Sequence, residues 1–418
     1  MSNRKNLGVL VGVLGLLAGS VAFAADKKPA AAEPAANDAC GARKITKKVD
    51  KPMAAAEKAF NAKEWDAVIA SVAEAEAVPV EKSIWDQYWI HEFRGRAYLS
   101  QEKYEEAAKE LALGLDSPCM DAADKPSRTK MLLQIAYRTK DYPKVVELGN
   151  KYLETNPDPE IASYVGNAYY AIDDFPNTRR IMADVVAKQE AGSKPVEELT
   201  YRILQGACIK LKDNACVTDM LEKLVIHYPK AQYWQDLMSL LMAQTKNNNQ
   251  LLNLWRLADG NNVLQDPAEF LEMAQLAIGQ GLPGEAQAVL EKGAQKGAFK
   301  TATQKSQLNQ LMTEAKQAVA LDKSTLDKQD VAARAKPTGD NDVKLGAAYL
   351  SYGDNAKAVE ALTRGIGKGG VKNPDDAALL LGIAHLRAGN KPEAAKAFST
   401  VNKDATMTRI AKLWLLNT

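Results

Sequence analysis

The sequence predicts an all-α chain built from stacked, antiparallel helix hairpins, and three observations predict it. Apolar residues recur with helical period from Cys40 onward, and β-branched alternating runs are absent. A unit repeats within the chain. LGAAYLSYGDNAKAVEAL at 345–362 and LGIAHLRAGNKPEAAKAF at 381–398 set Leu345, Gly346, Gly353 and Ala358 in register with Leu381, Gly382, Gly389 and Ala394. Each copy places a small residue in each of two helices and a breaking Gly between them, so the helices approach closely while one apolar face stays bare. A hairpin of this kind needs neighbours stacked on it. The third observation is that weaker copies along the chain supply those neighbours.

Taken in order, residues 1–24 read as a secretory signal. Arg4 and Lys5 start it, Leu7 to Ala18 is apolar, and Ala22-Phe23-Ala24 is a small-x-small site cleaved after Ala24. Four glycines, at 8, 12, 15 and 19, argue against an uncleaved anchor. No Cys follows the site, so no lipid-modified terminus is expected. The mature chain is therefore expected in a bacterial periplasm, with no direct membrane insertion after cleavage. Loss of residues 1–24 leaves bases and acids balanced, which removes the electrostatic footprint for nucleic acid or anionic lipid. Residues 25–38 are an Ala/Pro-rich flexible linker.

Residues 39–300 read as an N-terminal array. Its copies are marked by Ala56, Phe60, Trp65 and Val68, then Gly95, Tyr98, Tyr104 and Ala107, then Tyr137, Tyr142 and Val145. Gly166, Tyr169, Phe175 and Met182 follow, then Gly206, Ala215 and Leu221. After a less regular pair around Tyr233 to Leu257 the theme returns with Ala274, Gly281, Ala286 and Leu290. Residues 301–337 are connecting helices. Residues 338–418 are a C-terminal repeat pair, and a last helix carrying Ile410, Leu413, Trp414 and Leu416 caps its open face.

Four cysteines in an oxidising compartment suggest two disulfides with three possible pairings. Cys208 and Cys216 flank a short turn, LKDNA, between two predicted helices and are the preferred pair. Cys40 with Cys119 follows by elimination. Chemistry finds little support. His91, His227 and His385 stand in three different repeats without metal-ligand spacing, so no metal, cofactor or catalytic set is expected. GIGKGG at 365–370 lacks the strand before it and the Lys-Ser/Thr ending of a phosphate loop, and reads as a turn between repeats. Trp85, Tyr88 and Trp89 share one helical face. Core packing is the favoured reading, and an aromatic anchor for a peptide or sugar is the alternative.

The Leu-Gly, Tyr, Gly, Ala, bulky, Pro order resembles the tetratricopeptide repeat over most of residues 53–402 in about eight copies. The resemblance implies a right-handed α-solenoid whose first helices line a concave, partner-binding face. Carried over by position, it puts Trp89, Glu92, Arg96, Arg128, Arg138, Asn167, Tyr170 and Lys210 on that face. The family's intact Lys/Asn carboxylate clamp is missing. CGARKITKKVDKPM, GLPGEAQAVLEKG and GIGKGGVKNPD further resemble exported proteobacterial tetratricopeptide proteins that accompany TonB–ExbB–ExbD systems. The function implied is a periplasmic protein scaffold and not an enzyme. The alternatives are a carrier of glycan or peptidoglycan fragments and a hydrolase on a helical toroid.

Overall fold

The computed structural model describes residues 39–192 and 195–418, so the signal segment and linker lie outside the described residues. It is all-α: among the described residues there are 21 α-helices and one 3-10 turn, Leu415–Asn417, and no strand. No described helix is long and apolar enough to cross a membrane. Helices pair as hairpins: α1 (Asp50–Asn61) with α2 (Trp65–Ala77), α3 (Ile84–Ser100) with α4 (Tyr104–Asp116), and α5 (Lys125–Arg138) followed by α6 (Tyr142–Leu153). Then come α7 (Pro159–Ala171) with α8 (Phe175–Glu190), α9 (Glu198–Lys210) with α10 (Asn214–His227), and α11 (Ala231–Gln244) with α12 (Asn248–Gly260). The pair α13 (Pro267–Gly279) and α14 (Pro283–Gln295) precedes two connecting helices, α15 (Ala302–Lys323) and α16 (Leu326–Arg334). Last are α17 (Asp340–Ser351) with α18 (Asn355–Lys368), α19 (Pro374–Arg387) with α20 (Lys391–Ser399), and the terminal α21 (Ala405–Trp414).

One close approach sets the hairpin geometry. In four copies a Gly on the first helix faces the bulky side chain sixteen residues on: Gly95 faces Leu111, Gly166 Met182, Gly346 Leu362 and Gly382 Phe398. A Cβ built on Gly346 would lie 2.5 Å from Leu362 Cγ, so any larger residue pushes the helices apart. The buried partner then fills the gap that the absent side chain leaves.

The turn has an equally fixed chemistry. In most hairpins one residue adopts positive φ and the next caps the second helix with its side chain, although Glu64, Lys103 and Leu282 hold that place without a side-chain cap. Gly353 and Gly389 fill the left-handed position at φ 76° and 80°, but Lys140 and Lys212 hold it at 62° and 57° in other repeats. The following Asp141, Asp174, Asp213 and Asp354 each accept a hydrogen bond from the backbone N–H three residues on. Their own N–H groups donate to the carbonyls of Ala136, Tyr169, Cys208 and Tyr349. Each side-chain cap is worth about 1 kcal/mol.

The chain divides into two compact units, one ending at Arg128 and the other beginning at Thr129. In the first, Val49, Met53, Ala56, Val68, Val72, Ile90 and Ala97 form a small core, and Cys40 is joined to Cys119. In the second, Cys208 is joined to Cys216, so both bonds follow the pairing favoured from the sequence. One continuous core runs there from Met182 to Trp414. The sequence divisions at 300 and 337 fall inside it: Ala298, Phe299, Ala315, Ala333 and Val343 belong to the same cluster.

The second unit also closes on itself. α21 caps α19 and α20, and packs on α12 as well, with the Trp414 ring against Gly260. Gln250 donates to both Asp404 oxygens at 3.1 Å, and Asn253 Nδ2 to Asp376 Oδ1 at 2.8 Å. α14 meets α17 where Gly284 admits the Tyr352 ring. Helices α12 to α21 thereby make a closed ring.

The left-handed turn positions predict opposite effects of Gly. Lys212→Gly should stabilise the protein by about 0.5–1 kcal/mol, and Gly353→Ala should destabilise it by about 1 kcal/mol or more, read by chemical denaturation. Equal, small effects would show that φ at these turns is not strained.

Candidate functional site

The best-defined surface with binding chemistry is built on α3. Ser83 and Asp86 form a capping box at its start. Asp86 is fully buried and accepts from Ser83 N–H (2.9 Å), Thr46 N–H (2.9 Å) and the Thr46 hydroxyl (2.5 Å). Burial pushes the Asp86 carboxyl up, but those hydrogen bonds outweigh it and hold it below the usual carboxylate value. The segment before α1 is thus tied to α3 by Thr46 and to the loop after α4 by the Cys40–Cys119 bond. Arg43, in that segment, lies 5.7 Å over the Trp85 ring and pairs with Asp121 at 2.8 Å.

Along α3 an aromatic run passes from core to surface. Phe60 and Trp65 meet edge-on, Phe60 meets Phe93, and Phe93 meets Trp89 at 5.4 Å. Trp89 continues to Tyr88 at 5.6 Å, and Tyr88 stacks on Trp85 at 5.8 Å. Phe93 is buried, whereas Trp85, Tyr88 and Trp89 are half-buried. Both readings of this face therefore apply, at different ends. Its inner end packs the core, and its outer end offers ring surface to solvent. Burial, then the Glu92 charge, raises the Tyr88 hydroxyl above its ordinary pKa, so Tyr88 presents a neutral hydroxyl.

Beside that run the structure brings Glu92, Arg96 and Arg128 together. Arg128 donates from both terminal nitrogens to Glu92 at 2.6 Å, and the two side chains are 5% and 1% exposed. This corrects the expectation that both line an open groove: they are committed to each other inside the unit. The physical reason is Gly114 on α4, where a Cβ would lie 2.6 Å from Glu92 Oε1. Its absence lets the carboxylate sink between α3 and α4. Arg96 donates to the same carboxylate from Nε at 3.1 Å but stays one-third exposed, so part of its guanidinium faces solvent. Arg96 and Trp89 remain as the outward-facing members of the predicted set in this unit.

In the second unit, Tyr170 on α7 packs edge-on against Phe175, and Lys210 Nζ lies 5.6 Å over the same ring. Tyr170 also rests against Gly206. Tyr170 and Lys210 are thus assembled through Phe175, which the sequence reading took as a repeat marker and not as part of the face. Asn167 is half-buried on α7, and Arg138 is exposed at the end of α5.

Features set aside in the sequence have structural partners. His91 Nδ1 meets Glu110 at 2.7 Å, and His227 stacks on Tyr201. Lys368 of GIGKGG binds Asp342 at 2.7 Å and the Ala333 carbonyl at 2.8 Å, so it is engaged at the α16–α17 junction. Among the described residues no group of three His, Cys, Asp or Glu is placed to hold a metal.

Sequence reasoning missed a cleft of about 480 Å³ inside the ring of the second unit, between α12, α13, α15, α16, α17 and α19. Beside it lies a buried polar network. Arg256 pairs with Glu285 at 2.7 and 2.8 Å and donates to Asn253 at 2.7 Å. Burial pushes the Glu285 carboxyl up, yet the Arg256 charge and hydrogen bonds hold it low. Polar Asn253, Arg256 and Glu285 at buried helix positions were the available signal, in and near the stretch noted as irregular.

The architecture is that of a helical-hairpin repeat protein. A family model described as a tetratricopeptide repeat matches residues 343–404, the pair in which the repeat is cleanest. No curated protein matches the chain. Among solved structures, the chain is similar to the TPR2AB domain of yeast Sti1 in complex with pHSP90, at 16% identity and TM-score 0.33. That match covers 64% of this chain and 98% of the other. A tetratricopeptide repeat protein from Parabacteroides merdae matches at 12% and 0.29, covering 78% and 98%. The C-terminal part of a repeat protein from Cytophaga hutchinsonii matches at 13% and 0.30, covering 75% and 94%.

The buried pair beside the α3 face makes a sharp prediction. Glu92→Gln leaves Arg128 buried without its counter-charge and should cost about 3 kcal/mol or more in denaturant unfolding. Glu92→Leu combined with Arg128→Met should recover most of that loss. A double variant as unstable as the single would mean the two act independently.

Proposed function

We propose that this chain is a scaffold that holds protein partners, exported to the periplasm once the signal segment is cleaved after Ala24. The observation that carries the reading is the outer end of the α3 run. Rings of Trp85, Tyr88 and Trp89 lie beside the solvent-facing part of Arg96, on a frame fixed by the Cys40–Cys119 bond, Asp86 and the Glu92–Arg128 pair. Aromatic and Arg side chains held rigidly are the residue types that dominate partner affinity, because little entropy is lost on binding. Tyr170, Lys210, Asn167 and Arg138 belong to a separate proposed surface within the other unit. The fold match at 343–404 supports a scaffold role in general. The resemblance to exported proteobacterial repeat proteins supports the narrower reading, an accessory of a TonB–ExbB–ExbD-type complex. The reading assigns the chain no catalysis.

The test replaces the outer face and leaves Asp86, Glu92, Arg128 and the Cys40–Cys119 bond in place. Tyr88→Ala with Arg96→Ala should lower recovery of a co-purifying envelope complex at least about tenfold, the loss of roughly 1.4 kcal/mol or more, with a melting temperature near that of the parent. Undiminished recovery would contradict the reading. A large fall in melting temperature would assign the two residues to structure instead.

A further inference from the structure

We propose that the cleft enclosed by the ring of the second unit binds a ligand carrying an ammonium or guanidinium group. This site is separate from the α3 surface and does not depend on the function proposed there. At about 480 Å³ the cleft is within the range of small-ligand sites, and its walls come from several hairpins rather than any single repeat.

The hydrogen-bonding capacity of its walls names the ligand. Arg256 spends three of its five N–H groups on its neighbours, Nε and Nη2 on Glu285 and Nη1 on Asn253, and its charge is matched by Glu285. Gln280 donates its amide to the Asn248 carbonyl, and Gln329 donates its amide to the Thr325 hydroxyl. Each keeps its side-chain oxygen as an acceptor and one amide N–H as a donor. Asp376 accepts from Asn253 on Oδ1 alone, and Asp322 accepts from the Tyr352 hydroxyl on Oδ2 alone. Each carboxylate keeps a second oxygen. Lys344 is a cation of the lining, and it is paired with Asp340 at 3.3 Å with its side chain 71% exposed. Arg256 and Lys344 are thus each paired with a carboxylate, while Asp376 and Asp322 accept from neutral donors, so the charge left over on the walls is negative. A donor-rich cation complements such walls; a phosphate or carboxylate would meet like charge. The apolar wall from Leu345, Ala348 and Leu380 suits the methylene stem of a lysine, an arginine or a polyamine.

Two sources carry this chemistry, a free amine and a basic side chain of a peptide, and the experiment separates them. Titration calorimetry of the full chain would use spermidine, the peptide Ala-Lys-Ala, Nα-acetyl-lysine amide and, as neutral isostere, Nα-acetyl-norleucine amide. The charged probes should saturate, and the isostere should bind at least about tenfold more weakly. Tighter spermidine binding identifies a free amine as the source, and tighter peptide binding identifies a basic side chain. Asp376→Asn and Asp322→Asn keep the oxygens that accept from Asn253 and Tyr352, so both should fold normally. Each should weaken the charged probes at least about fivefold. Asn249→Asp adds an acid to the same wall and should tighten them, a gain that misfolding does not produce. The proposal is overturned if no charged probe saturates by about 10 mM, a limit near 3 kcal/mol of binding energy. It is equally overturned if the isostere binds as well as the charged probes, or if the three variants leave affinity unchanged.

Discussion

The close crossing of two helices at a glycine is the constraint on which the rest depends. Where Gly346 meets Leu362, or Gly382 meets Phe398, the helices come near enough that one bulky side chain seals the crossing. The hairpin's remaining apolar surface then has to be covered by the next hairpin, which is why the core of the second unit runs unbroken from Met182 to Trp414. The same device recurs at longer range. Gly260 admits Trp414 and Gly284 admits Tyr352, so the approach that closes a hairpin also closes the ring. Burial on this scale offsets the conformational entropy of ordering so many short helices.

Once packing is fixed, function is a matter of which polar groups remain unengaged. Glu92 and Arg128 satisfy each other, as do Arg256 and Glu285, and Lys368 satisfies Asp342. Buried pairs of this kind add little net stability over an apolar core, but they fix which helix sits where. What they leave over is small and specific. On α3 it is the outer aromatic rings with part of Arg96; in the ring cleft it is a set of acceptor oxygens.

Much of the fold was legible because helical period and a repeated hairpin are local signals. Gly353 and Gly389 announced their turns, and Cys208 and Cys216 announced a staple across one. The same turn was harder to see at Lys140, where a lysine holds positive φ and only the Asp that follows marks it. The site was less legible. The repeat resemblance, carried over by position, puts Glu92 and Arg128 on an outer face, but Gly114, on the neighbouring helix, draws the carboxylate inside. Ring closure joins Asn253 to Asp376 and Gln250 to Asp404, across 123 and 154 residues. No periodicity records a pairing of that kind.

The central claim is that the outer end of the α3 aromatic run is where a partner sits. Its most direct test is site-specific photo-crosslinking in cells, with a benzophenone side chain introduced in place of Tyr88 and, as control, in place of Lys63 at the exposed α1–α2 turn. The account predicts one discrete protein adduct from position 88 and none from position 63. No adduct at 88, or the same adducts from both positions, would contradict it.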